Sequence, residues 1–351
     1  EPTAQVPYDY KGLYVEELGD VINMEAIKAA GPKVLVDTLG GSGASYWNAI
    51  KERYGLDLTI IHDDYDPTFS FMTYDHDGKV RMDCSSTYVM ASVINRIGDF
   101  DLAVGNDPDY DRYGIVVSSG LISANTFLTL AARYLFTTRG WKNKGVGKTV
   151  VCTTMIDKWA ADVETPVFEV PVGFKYFSQL LFDGAIGIGG EESAGASFLK
   201  KDGTVWTTDK DGMIMALLSM EIMAVMGKSA LKMADESLEE FGNPSFGRID
   251  APCKKEQKQI LKQMSAELIT ATTVDGDPIT NIRTTSLYND MPIDGVRVET
   301  DKGWFVARPS GTEDLYKIYG ESYKGDLGLV ALLTAGEEIV NAALNGTIET
   351  E

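Results

Sequence analysis

The sequence is poor in the residues that build disulfide frameworks, zinc sites and histidine-based catalysis. Its three cysteines, Cys84, Cys152 and Cys253, are odd in number, lie far apart and show no CxxC spacing. Neither a disulfide framework nor a thiolate zinc site is expected, and a reducing cytoplasm fits best. The only two histidines, His62 and His76, each lie in an acidic turn and are predicted to be at the surface.

Positive charge and long apolar runs are also scarce. The chain has 32 Lys and Arg against 52 Asp and Glu, a formal net charge of −20. Nucleic acid and anionic membranes require cationic surface, so neither is expected as a partner. The most apolar helical run, Met213 to Met226, is shorter than a bilayer span and predicts a buried helix. Residues 1–4 show no signal-peptide pattern, which also favours a cytoplasmic protein.

The order of predicted strands and helices indicates three domains within the 351 residues. In two successive stretches of the sequence, predicted strands alternate with predicted helices. This order is typical of crossover units that build a largely parallel sheet. One of these strands is predicted at Lys148–Thr154. The last third predicts two helices and strands at Ser245–Ala251, Val296–Glu299, Trp304–Ala307 and Leu315–Gly320. The predicted fold class is α/β, with two similar mixed or parallel-sheet α/β domains at residues 1–119 and 120–242 and a smaller α+β domain at residues 243–351.

Three aspartates follow a predicted strand at alternate positions, Asp107, Asp109 and Asp111. This spacing lets three hard oxygen ligands converge on one divalent cation, which would relieve the repulsion between the carboxylates. A solvated acidic turn is the alternative interpretation. The adjacent Arg112 favours the metal, because a cation beside a metal suits a site for phosphate oxygens.

Two further loops carry groups suited to a phosphorylated sugar. Residues 308–313, Arg-Pro-Ser-Gly-Thr-Glu, offer a guanidinium, two hydroxyls and backbone amides for an anion, and Lys317 adds charge. Residues 189–195 place Glu191, Glu192 and Ser193 among glycines, where they could bind sugar hydroxyls or act as a general acid and base. A plain turn remains the alternative for each loop.

These loops, in this order, resemble those of the α-D-phosphohexomutase family along essentially the whole chain. The intervening runs at residues 170–175 and 206–212 are similar to those of its bacterial phosphoglucomutases. Phosphomannomutase-type members usually place Gly-His after the serine of the sugar loop. Here Ala194-Gly195-Ala196 follows Ser193, which favours the glucose-type enzyme.

The resemblance implies interconversion of glucose 1-phosphate and glucose 6-phosphate through glucose 1,6-bisphosphate. It implies Mg²⁺ held by Asp107, Asp109 and Asp111, and catalytic roles for Arg112 and Lys210. It implies binding of the phosphosugar by Gly173, Lys175, Glu191, Ser193, Arg308, Ser310, Gly311, Thr312 and Lys317. Chemically this would be phosphoryl transfer by positioning and charge neutralisation.

One element of the family pattern is missing from the sequence. The family's phosphoserine lies in a Ser-His-Asn-Pro loop of the first domain, and no Ser-His pair occurs here. We therefore expect a truncated chain that holds the second, third and fourth domains, with the N-terminal domain as its missing partner. Such a chain would bind Mg²⁺ and phosphosugar but be inactive alone. A non-catalytic phosphosugar-binding protein and a phosphomannomutase-type hexomutase remain the alternatives.

Overall fold

The computed structural model describes residues 7–64, 66–75, 77–310 and 314–348. The chain forms two compact units. Unit 1 comprises the residues up to Lys144 together with Phe177–Ser237, and unit 2 comprises Gly145–Tyr176 and the residues from Leu238 onward. The domain boundaries near residues 119 and 242 stay a prediction.

Unit 1 begins with a mixed α/β layer. Its elements are α1 (Tyr10–Val21), α2 (Met24–Ala30), β1 (Val34–Asp37), α3 (Ala44–Tyr54), β2 (Leu58–Ile61), α4 (Ala91–Ile94), β3 (Leu102–Asn106), β4 (Tyr113–Val117) and β5 (Gly120–Ile122). The strands form one sheet in the order β2-β1-β3-β4-β5. Strand β1 is parallel to β2 and β3, whereas β4 is antiparallel to β3 and β5. This arrangement confirms the predicted mixed α/β class.

Parallel pairing of β1 and β3 determines where the loops after these strands lie. Both strands are buried along their whole length, and their carboxyl ends point the same way. Loops that follow adjacent parallel strands therefore meet at one edge of the sheet, where α/β proteins usually bind ligands. Here the Ser42 amide donates to the Pro108 carbonyl at 2.8 Å, which joins the loop after β1 to the aspartate-containing loop after β3.

The chain continues with α5 (Ala124–Arg139), β6 (Gly145–Thr149), α6 (Met155–Asp162), β7 (Val167–Val170), α7 (Ser178–Phe182), β8 (Ile186–Gly190), β9 (Ala196–Phe198), α8 (Gly212–Met226) and α9 (Ala230–Phe241). In unit 1, β8 and β9 form an antiparallel pair. Helix α8 is buried from Gly212 to Ile222, which confirms the prediction for this apolar run. The buried acid Glu221 in that helix pairs with Arg139 at 2.7 Å.

Unit 2 contains the parallel pair β6–β7 and a larger antiparallel sheet. The remaining elements are β10 (Ser245–Pro252), α10 (Lys255–Lys262), β11 (Thr273–Val274), β12 (Asp277–Thr285), β13 (Pro292–Thr300), β14 (Gly303–Pro309), β15 (Leu315–Ser322) and α11 (Gly325–Ile348). The six strands follow the order β10-β15-β14-β13-β12-β11. All their pairings are antiparallel, which confirms the predicted α+β class of the last third.

One strand prediction in this unit needs correction, and two strands were not predicted. Strand β6 covers Gly145–Thr149 instead of Lys148–Thr154, and β11 and β12 have no counterpart in the sequence prediction. Gly145 is a strand residue at which only glycine fits, because the Phe168 ring fills the space that a side chain would occupy. The whole of β6 is buried.

Helix α11 is the most membrane-like element of the described residues. Over Gly325–Asn345 it is long and apolar enough to cross a membrane by length and composition. Its residues Leu332, Leu333, Val340 and Leu344 belong to the buried core beside the antiparallel sheet. We therefore interpret it as the core helix of this sheet, and the absence of membrane contact stays a prediction.

Candidate functional site

The loop between β3 and β4 brings the three predicted metal ligands together. One carboxylate oxygen from each of Asp107, Asp109 and Asp111 lies within 4.8 Å of the other two. Tyr110 has a φ of 62°, a left-handed conformation that turns the chain sharply inside this group. The Tyr110 hydroxyl donates to the Thr38 carbonyl at 3.2 Å, which fixes the turn to the end of β1.

Asp107, Asp109 and Asp111, which we call the aspartate trio, include no positive charge to balance their carboxylates. Burial and the hydrogen bond with Asp109 raise the pKa of Asp107, since the charge of a neighbouring carboxylate disfavours ionisation. The Arg112 amide partly offsets this effect by donating to Asp107 Oδ1 at 2.9 Å. Three converging carboxylates are the hard oxygen donors that Mg²⁺ prefers. The residues present therefore fit a divalent cation.

Two cationic side chains border the trio, and both were predicted to be catalytic. Lys210 Nζ lies 2.5 Å from Asp111 Oδ2, and Arg112 Nε lies 3.8 Å from Asp111 Oδ1. Burial would lower the pKa of Lys210, but the hydrogen bond to Asp111 and its charge raise it overall. Lys210 therefore stays protonated next to the candidate metal site, where it could meet an anionic ligand.

The sugar loop between β8 and β9 packs directly against the aspartate loop. Ala194, with a φ of 67°, accepts a hydrogen bond from the Tyr113 amide at 3.2 Å, and Gly195 forms a β-bridge with Arg112. Glu191 is 7% exposed, and Ser193 lies half-buried in the same turn.

Glycine at position 195 is required by close packing. A Cβ there would collide with the side chain of Lys210 and lie 3.2 Å from Glu191 Oε2. The aspartate trio, Arg112, Glu191 and Lys210 thus form one cluster, which we call the unit 1 site. Its parts come from three sequence-distant loops of unit 1.

The predicted phosphate loop belongs to unit 2 and begins where β14 ends. Arg308 on β14 is paired in register with Lys317 on β15, so two cations face each other across neighbouring strands. Like charges in this position repel each other, and Asp250, which is in register with Lys317 on β10, offsets part of this repulsion. Arg308 Nε is buried and has no hydrogen-bond partner among the described residues, and Ser310 is 8% exposed. Gly311 and Thr312 lie outside the described residues.

Gly173 and Lys175 lie in the turn that follows β7 in unit 2. Gly173 has a φ of 131°, which favours glycine. The exposed Lys175 places its ammonium 5.1 Å from the Tyr176 ring centroid. Their roles in binding stay predictions, as does the expectation that the loops of the two units share one cleft.

Three family models match consecutive parts of the chain. Phosphoglucomutase/phosphomannomutase alpha/beta/alpha domain II matches residues 13–120, alpha/beta/alpha domain III matches residues 123–241, and the C-terminal domain matches residues 249–327. The chain belongs to the phosphoglucomutase/phosphomannomutase family. This confirms the prediction that the 351 residues hold its second, third and fourth domains.

Among the curated members of the phosphoglucomutase/phosphomannomutase family, the phosphoglucomutase of Komagataeibacter xylinus is 46% identical over 338 residues, which are 95% of this chain and 61% of the relative. The chain therefore spans about three fifths of that relative's length.

Solved structures support the same fold. A putative phosphomannomutase from Thermus thermophilus matches 95% of this chain and 66% of its own, with a TM-score of 0.73 and 22% identity. The Aspergillus fumigatus N-acetylphosphoglucosamine mutase, solved with GlcNAc-6P and magnesium, matches 98% of this chain and 68% of its own, with a TM-score of 0.61 and 16% identity.

Sequence reasoning did not single out Asp211, which fixes the loop that carries Lys210 to the start of α8. Asp211 caps α8 by accepting from the amides of Met213 (3.1 Å) and Ile214 (3.2 Å), and it also accepts from Tyr14 and Trp206 side chains at 2.9 Å. An aspartate directly before an apolar helical run is the usual signal for such a cap.

His62, which was predicted at the surface, is half-buried, with 24% of its side chain exposed. Its Nδ1 lies 2.8 Å from the buried Asp37, and its ring stacks on Phe71 at a centroid distance of 4.2 Å. His62 itself has a φ of 54°, which no sequence pattern announced. His76 lies outside the described residues.

Proposed function

We propose that this chain supplies the metal-, sugar- and phosphate-binding residues of a phosphoglucomutase that interconverts glucose 1-phosphate and glucose 6-phosphate through glucose 1,6-bisphosphate. The observation that carries the proposal is the position of Lys210, which contacts Asp111 and packs beside Glu191. A candidate metal site, a cation and a hydroxyl-binding loop thus form one cluster. The 46% identity to a bacterial phosphoglucomutase supports the reaction class.

In this proposal the unit 1 site works on the reacting end of the sugar. Asp107, Asp109 and Asp111 would hold Mg²⁺, which would neutralise negative charge on the transferring phosphoryl group. Arg112 and Lys210 would orient the phosphoryl oxygens by charge-assisted hydrogen bonds. Glu191 would accept hydrogen bonds from sugar hydroxyls, and Ser193 could donate or accept.

Unit 2 would bind the phosphate that does not react. Arg308, Ser310, Gly311, Thr312 and Lys317 are the proposed residues, and the cross-strand pair Arg308–Lys317 supports this role because an anion would neutralise both. Gly173 and Lys175 would lie near the sugar. Among the described residues Lys175 has no carboxylate partner, so its charge is available to a ligand.

The transfer itself needs a donor outside these loops. A phosphoserine would pass its phosphoryl group to a sugar hydroxyl, whose proton would end on the freed serine oxygen. The other phosphate of the resulting bisphosphate would then return to the serine, with its proton moving in the opposite direction. Because the 351 residues contain no Ser-His pair, we place this serine on the first family domain. The chain alone would therefore bind ligands without turnover.

An activity and binding comparison tests this proposal. Given glucose 1-phosphate, glucose 1,6-bisphosphate and Mg²⁺, the 351-residue chain should convert sugar at no more than the background rate, while titration calorimetry should detect bisphosphate binding. Fusion to the first domain of the Komagataeibacter xylinus enzyme should restore turnover. Conversion by the unfused chain, or binding of no phosphosugar, would contradict the proposal.

The same fusion protein distinguishes the proposed glucose-type enzyme from its two alternatives, a phosphomannomutase-type hexomutase and a non-catalytic binding protein. Because the sugar loop reads Ser193-Ala194-Gly195, without the usual histidine, glucose 1-phosphate should be used faster than mannose 1-phosphate. Faster use of mannose 1-phosphate would identify a phosphomannomutase-type hexomutase. Phosphosugar binding without turnover of either sugar by the fusion would favour the non-catalytic binding protein.

A further inference from the structure

The loop that carries Lys210 is joined by its backbone to the proposed sugar-binding loop. We call residues 206–211, which end directly before α8, the lysine loop. The Asp211 amide donates to the Ala196 carbonyl at 2.9 Å, and Ala196 is the first residue of β9, directly after the sugar loop. The backbone next to Lys210 therefore has a fixed position beside the sugar loop.

The first residue of α8 joins the same backbone to the aspartate loop. The Gly212 amide donates to the Tyr110 carbonyl at 2.9 Å. A Cβ at position 212 would collide with the Arg112 backbone, so only glycine allows this close approach. The segment that follows Lys210 is thus tied to both loops of the unit 1 site.

The Lys210 side chain reaches the aspartate trio along a narrow path. Its Nζ lies 2.5 Å from Asp111 Oδ2, and only 19% of the side chain is exposed. Its methylene groups pack against Gly195, where any Cβ would collide with them. A lysine side chain loses much rotational freedom when it is held in one conformation. The ammonium therefore keeps this place only while the loop from which the side chain starts keeps its position.

The Asp211 carboxylate links the lysine loop to a distant part of unit 1. It accepts hydrogen bonds from four neutral donors, which are the Met213 and Ile214 amides, Trp206 Nε1 and the Tyr14 hydroxyl. The first three lie within five residues of Asp211, whereas Tyr14 lies 197 residues away, on α1. Of these four donors, Tyr14 alone therefore joins the lysine loop to a sequence-distant element.

Tyr14 is itself held in a fixed orientation. Its ring contacts Tyr46 of α3 and Trp206 of the lysine loop at centroid distances of 5.6 and 5.5 Å. Its hydroxyl lies 3.0 and 2.9 Å from the two carboxylate oxygens of Asp211. Burial and the charge of Asp211 raise the pKa of Tyr14, so the hydroxyl keeps the proton that it donates. Helices α1 and α3 thus place a hydrogen-bond donor at the carboxylate beside Lys210.

We propose that Tyr14 is a positioning residue of the unit 1 site, which acts through Asp211 to hold the Lys210 ammonium where it meets a phosphoryl group of the bound sugar. The inference rests on the proposed function, because that function supplies the phosphorylated ligand. The Tyr14 hydroxyl proton is used by Asp211, so Tyr14 acts through the lysine loop and not by contact with the ligand. Helix α1, which contributes nothing to the three predicted binding loops, is thereby part of the binding machinery.

Titration calorimetry with glucose 1,6-bisphosphate and Mg²⁺ on the 351-residue chain tests this role. Tyr14→Phe keeps the ring, removes the donor to Asp211 and should weaken bisphosphate binding at least about threefold, as expected within one hydrogen-bond network. Tyr54→Phe is the matched control, because the Tyr54 hydroxyl donates at 2.6 Å to the carbonyl of Val15, also on α1, and does not contact Asp211. This control should bind the bisphosphate as tightly as the unmodified chain. Cooperative thermal unfolding checks that both variants are folded.

A double-mutant cycle shows whether Tyr14 acts through Lys210. Lys210→Gln should weaken bisphosphate binding about tenfold, since it removes a charge-assisted hydrogen bond. Adding Tyr14→Phe to Lys210→Gln should cause no further loss, because the ammonium that Tyr14 positions is already absent.

Trp206→Phe removes the second side-chain donor to Asp211 and should follow the same pattern, which gives an independent variant of the same network. Unchanged bisphosphate affinity in Tyr14→Phe, an equal loss in Tyr54→Phe, or additive losses in the double variant would overturn the inference and leave the proposed function intact. Failure of the unmodified chain to bind the bisphosphate would instead contradict the proposed function, and the inference with it.

Discussion

Two clusters of charged residues, one in each unit, contrast in how their acids are balanced. In unit 2, Glu169 is 2% exposed, and the Arg283 guanidinium binds it through two hydrogen bonds of 2.5 and 2.8 Å. Burial alone would raise the pKa of Glu169, but this pairing lowers it. In unit 1, Asp107 is also nearly buried, at 7% exposed, but its neighbours are the carboxylates of Asp109 and Asp111. Burial and these neighbours raise its pKa.

The difference separates a structural role from a binding role. An acid that is matched by a buried arginine needs nothing further and contributes to the fold. Carboxylates that have no such arginine partner are stabilised when a metal cation binds between them. We therefore expect the two clusters to respond in opposite ways when a member is neutralised.

The largest effect is expected from breaking the unit 2 pair. Arg283→Met leaves Glu169 buried without its partner and should lower the free energy of unfolding by about 3–5 kcal/mol. Chemical denaturation measures this change. As a matched control, Arg248→Met removes an exposed arginine that pairs with Asp250 at 3.0 Å, and it should cost less than about 1 kcal/mol. Equal losses of unfolding free energy in Arg283→Met and Arg248→Met would contradict the structural role proposed for the buried pair.

A smaller effect, on binding, is expected at the aspartate trio. Asp107→Asn should weaken Mg²⁺ binding by at least about tenfold, because loss of a group that merely orients a metal ligand already costs about 10–100-fold. Without metal it should leave stability unchanged or raise it, because repulsion is relieved. Calorimetry and thermal unfolding measure the two quantities, with Asp99→Asn, an exposed acid of the same unit, as the control. Unchanged Mg²⁺ affinity in Asp107→Asn would contradict the metal assignment.

The smallest effect concerns pH. Arg297 and Arg283 outweigh burial and lower the pKa of Glu299 to about 2, from 4.5 in the unfolded chain. The unfolded state therefore binds the proton first, and the stabilisation is present above about pH 4.5 and lost as pH falls towards 2. The melting temperature of the protein should fall over this range, and Glu299→Gln should show a shallower fall. An equally steep fall of the melting temperature in the unmodified protein and in Glu299→Gln would contradict the stabilising role of the ion pairs between Glu299 and the two arginines.

Local signals in the sequence were sufficient to predict the loops of the candidate site. The alternate aspartates after β3 and the glycines around Glu191 follow apolar strands, and both loops lie at strand ends in the structure. Sequence alone could not show that Gly195 packs against Lys210, because this contact depends on how sequence-distant loops fold together. The cap formed by Asp211 did have a local signal, which was overlooked.

Elements without a clear local pattern were predicted less well. Strand β12, Asp277–Thr285, is mostly exposed or half-buried and rich in polar residues, so no apolar alternation marks it. The packing of the start of α6 against the antiparallel sheet depends on contacts between residues more than a hundred positions apart, such as Thr154 and Glu321. His62 is half-buried because its ring pairs with the buried Asp37 and stacks on Phe71, and only tertiary structure determines these contacts.

The central claim is that the aspartate trio binds a metal that takes part in holding a phosphosugar. The most direct test is the affinity of the 351-residue chain for glucose 1,6-bisphosphate, measured by calorimetry with and without Mg²⁺. The account predicts binding at least about tenfold tighter with Mg²⁺, an equal gain in Mg²⁺ affinity when the sugar is present, and neither gain in Asp107→Asn. Equal sugar affinity with and without Mg²⁺ would contradict it.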